Sequence, residues 1–442
     1  MSTTVTPLSS ANFISLFTQF LHPNRVAAVA RRHRSSPAGA PAKISSFALV
    51  AAMVFQVLHS CGLLSDKVHM LFGLSLSDSA ISERRQRWGV AFFEALLQRV
   101  LHPLARPDTH PKAFYKGLRL VGLDASTWSV SNTPAIKAGT KKDRTRRLRA
   151  AFYKIRMATL HELGTHNPLA ATLGVKGESE MALAVPLLAC LRRGWLLIAD
   201  RYYGVGCFVA RLLALPEGTH FLLRAKANLK SILVKRLPDG SRWVHLRDPA
   251  LKKDILVREI CARVKRRKGP WVSIRLWTNL LDPAAYPATG LVALYGLRWE
   301  QEIAFKEMKI HLRRSPLLLG HTLVTAAQEV LCLVLAQAVI ARMRLEAADD
   351  HTPVLEISFI RTLNCFRALW SVLPFIKDRL LGDSEALLTR RIQQQLADEA
   401  SCPRRARSCP RALRQPVSKW PRLTKNSNKT GPFKIKIARA AA

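Results

Sequence analysis

The run Trp195-Leu-Leu-Ile-Ala199, set between Gly194 and Asp200, does most to limit what this chain can fold into. A short, unbroken apolar run suits a strand covered on both faces, the usual sign of parallel pairing. It ends in an aspartate. A second run, residues 118–123, is apolar except for Arg119 and also ends in an acid, Asp124. If the two strands are parallel neighbours, both carboxylates stand at one sheet edge, where open α/β folds hold their ligands. Taken singly, either aspartate is equally well read as the cap of a turn.

A third acid lies on a different kind of element. Residues 295–309 read as one helix. At 3.6 residues per turn, Tyr295, Arg298, Glu302 and Lys309 share a stripe, with Val292, Trp299, Ile303 and Ile310 forming an apolar stripe beside it. The apolar stripe docks the helix, and the polar one presents a carboxylate between two cations and a phenol. That set suits a metal that meets a phosphate, with Glu for the cation and Arg and Lys for the phosphate oxygens. Spaced ion pairs on a solvated face fit the same spacing.

The pattern Tyr-x2-Arg-x3-Glu-x6-Lys resembles the signature of bacterial insertion-sequence transposases of the DDE type. The run Leu-Asp-Pro-Ala-Ala-Tyr-Pro at 281–287 resembles that family's approach to the helix. Ala199-Asp-Arg-Tyr-Tyr-Gly204 and residues 220–228 resemble its text after the second aspartate. The first-acid motif departs from the commonest form, with Leu123 before Asp124 and Trp128 after it. The resemblance implies an α/β ribonuclease-H-like catalytic core with a β-rich insertion. It implies Asp124, Asp200 and Glu302 as catalytic metal ligands for two Mg²⁺ ions, with Mn²⁺ as an alternative. It also implies Tyr295, Arg298 and Lys309 as DNA phosphate contacts. Arg201 is a further candidate, as a partner of Asp200. Two metals about 3.5–4 Å apart can activate a water or a DNA 3′-hydroxyl and stabilise the leaving oxygen.

Charge agrees with this reading. The chain has 442 residues, 69 of them basic and 30 acidic, for a net charge of +39. That excess favours nucleic acid as partner, a merely basic protein being the alternative. None of the 8 cysteines forms a C-x2-C pair, which argues against a zinc ribbon and suits scattered thiols in a reducing compartment. The N-terminus does not read as a signal peptide. The apolar run 324–341 carries Gln328, Glu329 and Gln337 and reads as a buried helix, not a membrane span. The expected location is cytoplasmic, nucleoid-associated, with no membrane.

The flanks divide by composition. Residues 1–108 read as a helical DNA-end-binding domain, with helices at 13–21, 47–58 and 90–104. A possible helix-turn-helix lies between the last two: residues 65–72, Gly73, then 77–89 exposing Ser79, Ser82, Arg84, Arg85 and Arg87. The core is expected over 109–320, with paired strands at 152–163 and 170–175 and a helix at 178–192. A polar, basic loop at 137–149 carries Lys141, Lys142, Arg144, Arg146, Arg147 and Arg149, suited either to phosphate or to solvent. The insertion, at about 215–285, holds alternating strand-like segments and a Pro238-Asp-Gly240 turn. By resemblance Trp271 or Trp277 stacks on a flipped base, buried sheet aromatics being the alternative. C-terminal helices follow at 321–400. A basic tail at 401–442, rich in Lys and Arg with no Asp or Glu, is suited to non-specific DNA contact.

The expected activity is cut-and-paste DNA transposition. The protein binds terminal inverted repeats, pairs two ends in a homodimer, frees a 3′-hydroxyl and joins it to target DNA. The alternatives are a metal-dependent nuclease of the same fold without strand transfer, or a catalytically inactive DNA-binding relative.

Overall fold

The computed structural model describes residues 19–33, 43–142, 151–246, 254–265, 271–313, 315–349 and 351–376, with a few positions between 390 and 397. The expected tail, the end of the C-terminal helical region and most of the expected helix at 13–21 lie outside the described residues.

Five helices open the described chain: α1 (Pro23–Arg32), α2 (Ser46–His59), α3 (Leu64–Phe72), α4 (Asp78–Trp88) and α5 (Ala91–Val100). Their ends follow from local chemistry. Ser45 Oγ accepts from Ala48 N–H at 3.0 Å to start α2, and Ser77 Oγ accepts from Ala80 N–H at 3.3 Å to start α4. Gly73 closes α3 at φ +66. The helix expected through residue 104 stops at Val100, because Leu101 turns extended on the approach to Pro103.

The sheet elements follow: β1 (Phe114–Tyr115), β2 (Leu118–Val130), helix α6 (Pro134–Gly139), β3 (Tyr153–Glu162), β4 (Asn167–Gly174), helix α7 (Glu180–Leu187), β5 (Trp195–Ala199), helix α8 (Gly206–Leu213), β6 (His220–Arg224), β7 (Ser231–Arg236), β8 (Arg242–Leu246), β9 (Ile255–Lys265) and β10 (Trp271–Thr278). Helices α9 (Ala288–Tyr295), α10 (Arg298–Lys306), α11 (Leu323–Glu346) and α12 (Phe359–Ile376) complete the fold. Among the described residues there is one ten-stranded sheet, ordered β4-β3-β2-β5-β6-β10-β9-β8-β7, with β1 beside β2. β2 with β5 and β5 with β6 are parallel, and every other pair is antiparallel. The segments expected as an insertion therefore continue the main sheet, since β10 pairs with β6.

The apolar run of β5 is buried on both sides. Leu197 and Ala199 join the core under α7 and α8, while Leu196 and Ile198 join the core under α9. Full burial of each such aliphatic side chain contributes about 1.5–3 kcal/mol. A third core unites α2, α5, α11 and α12 with Trp128 and Val130 of β2 and Ile155 and Met157 of β3, so the N-terminal helices share packing with the sheet. Helix α11 is long and apolar enough to cross a membrane, yet most of it is buried inside the protein. Its Gln337 donates to Ala304 O at 2.9 Å and meets His161 Nε2 at 3.0 Å, as a core helix with a satisfied polar pair would.

Candidate active site

The parallel register fixes the first two acids. Leu123 pairs with Ala199 at the last β2–β5 position, and Asp124 and Asp200 come next on each strand. β2 does not end there as expected. Its other edge stays paired with β3 from Asp124↔Thr159 to Val130↔Tyr153, so Asp124 sits in mid-strand and is at a rim only on the β5 side. Beyond β5, Asp200 Oδ1 accepts from Tyr202 N–H at 2.7 Å, the short-range turn that Asp favours. Gly204 then passes so close to β6 that a Cβ there would lie 2.0 Å from Arg224 O. The Asp-Arg-Tyr-Tyr-Gly run is thus a tight turn pressed on the next strand.

Asp124, Glu180, Asp200, Arg201, Tyr202 and Lys226 line an open cleft of about 580 Å³. Burial pushes the Asp124 carboxyl up to about 8, the charges of Asp200 and Glu180 add to the shift, and Ala125 N–H and Arg298 oppose it. Burial and the neighbouring acids thus oppose ionisation of Asp124. Two adjacent carboxylates, one in mid-strand and one just past β5, that resist joint ionisation fit a divalent cation, which supplies the missing positive charge. Among the described residues, no three His, Cys, Asp or Glu side chains already converge on one metal position.

The helix expected over 295–309 is three pieces. Helix α9 ends at Tyr295, α10 restarts at Arg298, and a π-helical turn spans Glu307–Leu312, closed by Arg313 N–H on Met308 O at 3.1 Å. The wider turn rotates the faces. Ile310, expected in the apolar stripe, is 59% exposed, and Trp299, Ala304, Phe305, Met308 and Leu312 do the docking. Arg298 Nη2 donates to Glu302 Oε1 at 2.7 Å, so Glu302 faces its own helix neighbour and does not line the cleft. Burial would lower the Arg298 guanidinium, but Tyr295, Glu302 and Asp124 outweigh it and hold the group firmly charged. Lys309 is brought down to about 8 by burial and by Arg313, with Asp124 opposing, and its ammonium lies 5.3 Å from the Trp128 ring centre. Tyr295 is buried in the core beneath α9, away from solvent. Arg201 is exposed on the cleft rim.

Behind this helix lies a polar network with no signal in the sequence reading. His166, in the β3–β4 turn at φ +58, meets Glu300 and Glu307 at 2.8 Å each. Arg344 and Gln337 of α11 donate to the same Glu307 at 3.2 and 3.3 Å. Burial alone would lower the His166 imidazole, but the two carboxylates outweigh it and hold it above its ordinary value. His166 so ties the sheet to both halves of the helix that carries Glu302 and Lys309.

Three other expectations meet structure here. The helix-turn-helix elements form as α3 and α4, but Arg85 turns inward, donating to Gln328 Oε1 at 3.3 Å and Thr325 O at 3.2 Å. Arg84 and Ser82 are half-buried, leaving Ser79 and Arg87 as the exposed members of that set. Trp277 is core, donating to Glu259 Oε2 at 2.8 Å, whereas Trp271 is 54% exposed. In the basic loop, Lys142 rests on Tyr153, and residues 143–150 lie outside the described residues.

Comparison with known proteins defines the class. The family model of the transposase DDE domain matches residues 115–336, a span that contains Asp124, Asp200 and Glu302. The chain belongs to that family, and it is a DNA transposase, an enzyme that cleaves and transfers DNA strands. It is 25% identical over 365 residues to the transposase InsG for insertion sequence element IS4 of Escherichia coli (strain K12), covering 80% of each chain. The piggyBac transposase synaptic complex with hairpin DNA, solved by cryo-electron microscopy, overlaps at a TM-score of 0.40 with 11% identity, over 91% of this chain and 86% of that one. Members of the family depend on divalent metal.

Proposed function

We propose that the cleft beside Asp124 of β2 and the end of β5 is the cutting and joining centre of an insertion-sequence transposase of the IS4 type, built on a ribonuclease-H-like core. The observation that carries this is the register, in which Leu123↔Ala199 is the last parallel pair and Asp124 and Asp200 follow side by side. The sheet order supports the core assignment: an antiparallel β4-β3-β2 meander is extended by β5 and β6, both running parallel to β2.

Asp124, Asp200 and Glu302 would hold Mg²⁺, or Mn²⁺ in its place, as two ions. Bound there, the metal supplies Lewis-acid activation of a water or 3′-hydroxyl and neutralises the leaving oxygen. Arg298 and Lys309 take the phosphates flanking the scissile bond, and Arg201 meets the backbone from the cleft rim. A phosphate competes with Glu302 for Arg298, and so frees Glu302 for the metal. Tyr295 acts from below, as the phenol packed beside Arg298. The N-terminal helices contribute to binding the terminal inverted repeats, Trp271 stacks on an unpaired base, and two copies act together on two ends. The protein works in the cytoplasm, at the nucleoid.

The test is an excision and joining assay on a marker flanked by the element's terminal repeats, with Mg²⁺, comparing wild type with Glu302→Gln. Excised and joined product from wild type alone, with equal DNA binding by both, is the expected result. Cleavage without joined product makes the protein a nuclease of the same fold. Binding without cleavage by either protein makes it an inactive relative. Cleavage that survives the substitution removes Glu302 from the site.

A further inference from the structure

Two cations from the end of the Glu302 helix meet one aromatic ring of β2. The π-helical turn sets Lys309 and Arg313 four residues apart, with Arg313 N–H closing it on Met308 O at 3.1 Å. The chain beyond is fastened to β2, where Leu318 N–H donates to Ser129 O at 2.9 Å. Both side chains come to rest over Trp128, the Lys309 ammonium 5.3 Å and the Arg313 guanidinium 5.8 Å from its ring centre. The β2–β3 register is unbroken from Asp124 to Trp128, so the ring and the first acid stand on the same face of the sheet.

Lys309 feels the charge of Asp124, yet among the described residues neither Lys309 nor Arg313 forms an ion pair. An ion pair with Asp124 would occupy both the acid that a metal needs and the cation that a phosphate needs. An aromatic face attracts the ammonium and uses up neither. The indole is also a costly way to fill space. Trp128 is fully buried in the core it shares with α11, and its N–H finds no acceptor among the described residues. A Phe or Leu fills apolar volume without that cost. What the indole adds is a broad, electron-rich face, the best of the aromatic side chains for a cation.

We propose that Trp128 is a positioning residue for strand cleavage: its ring holds the Lys309 ammonium on the face of the sheet that carries Asp124, clear of any carboxylate and ready for a DNA phosphate. This rests on the reading of Lys309 as a phosphate contact. Arg313 completes the device. Resting on the same ring, it repels the ammonium and so favours transfer of Lys309 from the ring to an incoming phosphate.

The test is single-turnover cleavage of terminal-repeat DNA by the full chain, with Trp128 alone replaced by increasingly fluorinated tryptophans. Fluorine withdraws electron density from the ring and barely alters its shape, so packing is kept while the hold on a cation weakens. The same series is made in Lys309→Met, and affinity for the DNA end is read alongside the rate. With Lys309 present, the expected result is a rate that falls stepwise, about tenfold across the series, at an unchanged melting temperature. In Lys309→Met, rate and affinity are lower from the start and do not respond to fluorine. A rate that stays level across the series, with Lys309→Met still impaired, overturns the proposal and leaves Lys309 as a phosphate contact. An equal fall in both backgrounds makes the effect of the ring independent of Lys309 and also overturns it. If Lys309→Met cleaves and binds as wild type does, the reading of Lys309 itself fails, and the role of Trp128 with it.

Discussion

Replacement of His166 by Asn isolates the clamp behind the Glu302 helix. Asn tolerates the left-handed backbone at this position, so the substitution spares the turn and removes the bridge. Two charge-assisted hydrogen bonds are lost, each worth about 1.5–3 kcal/mol in such settings. The acceptors respond differently. The Glu300 side chain is 15% exposed and can rotate to water, while the Glu307 side chain is only 4% exposed but keeps Arg344 and Gln337. The loss therefore falls near about 3 kcal/mol, at the low end for breaking a buried pair. Hydrogen exchange of the 298–312 segment reads it directly, and a local opening made easier by that amount speeds exchange about a hundredfold. The pH dependence has a definite sign. His166 is held above its unfolded value of 6.5, so its contribution is complete below pH 6.5 and fades as pH rises through its folded value. After correction for intrinsic exchange, the gap between wild type and variant is widest at pH 6 and narrower at pH 9. An equal gap at both pH values, or one under about 1 kcal/mol, refutes a charged clamp.

Three other substitutions separate structural from functional roles. Gly204→Ala forces a Cβ against the Arg224 carbonyl and is expected to cost about 3 kcal/mol, lowering the melting temperature and weakening Mn²⁺ binding through the Asp200 turn. Arg85→Ala is expected to lower stability by about 2 kcal/mol while DNA affinity measured at matched salt stays the same, because its guanidinium ties α4 to α11. Weaker DNA binding at an unchanged melting temperature would return Arg85 to the DNA face. Trp277→Phe removes one donor from buried Glu259, which keeps Arg242 and Ser231, and lowers the melting temperature, whereas Trp271→Ala leaves it unchanged and reduces strand cleavage.

Much of the fold was legible because burial wrote it into composition. Residues 195–199 read as a strand covered on both faces, and each face has its own core. The hairpin at Pro238-Asp-Gly240 followed from turn chemistry, and Gly240 adopts φ +81 there. Helix α8 gave no sign, since its eight residues lie between a tight turn and a strand. The helix over 295–309 misled for a specific reason. A stripe drawn at 3.6 residues per turn assumes one unbroken α-helix; Gly296 marks the break after Tyr295, but the π-turn at Glu307 has no local sequence marker. The setting of that turn is tertiary. His166 and Arg344 both reach Glu307, from a turn and from a helix far away in the chain.

The same division holds within the site. Asp124 and Asp200 were legible because each terminates a recognisable apolar run, and a parallel register turns two such endings into neighbours. Glu180 ends nothing. It is one acid in the first turn of an ordinary capped helix, where acids are favoured for electrostatic reasons alone, so its sequence context carries no message about chemistry. Only the packing of α7 against β3 and β4 brings it to the cleft. Arg298 and Glu302 show the converse. Their spacing of four was read as a shared approach to metal and phosphate, and the same spacing makes them each other's partner when neither ligand is present. A four-residue spacing of opposite charges on a helix therefore fits two arrangements: the ion pair seen here, and the proposed one in which a DNA phosphate at Arg298 would release Glu302.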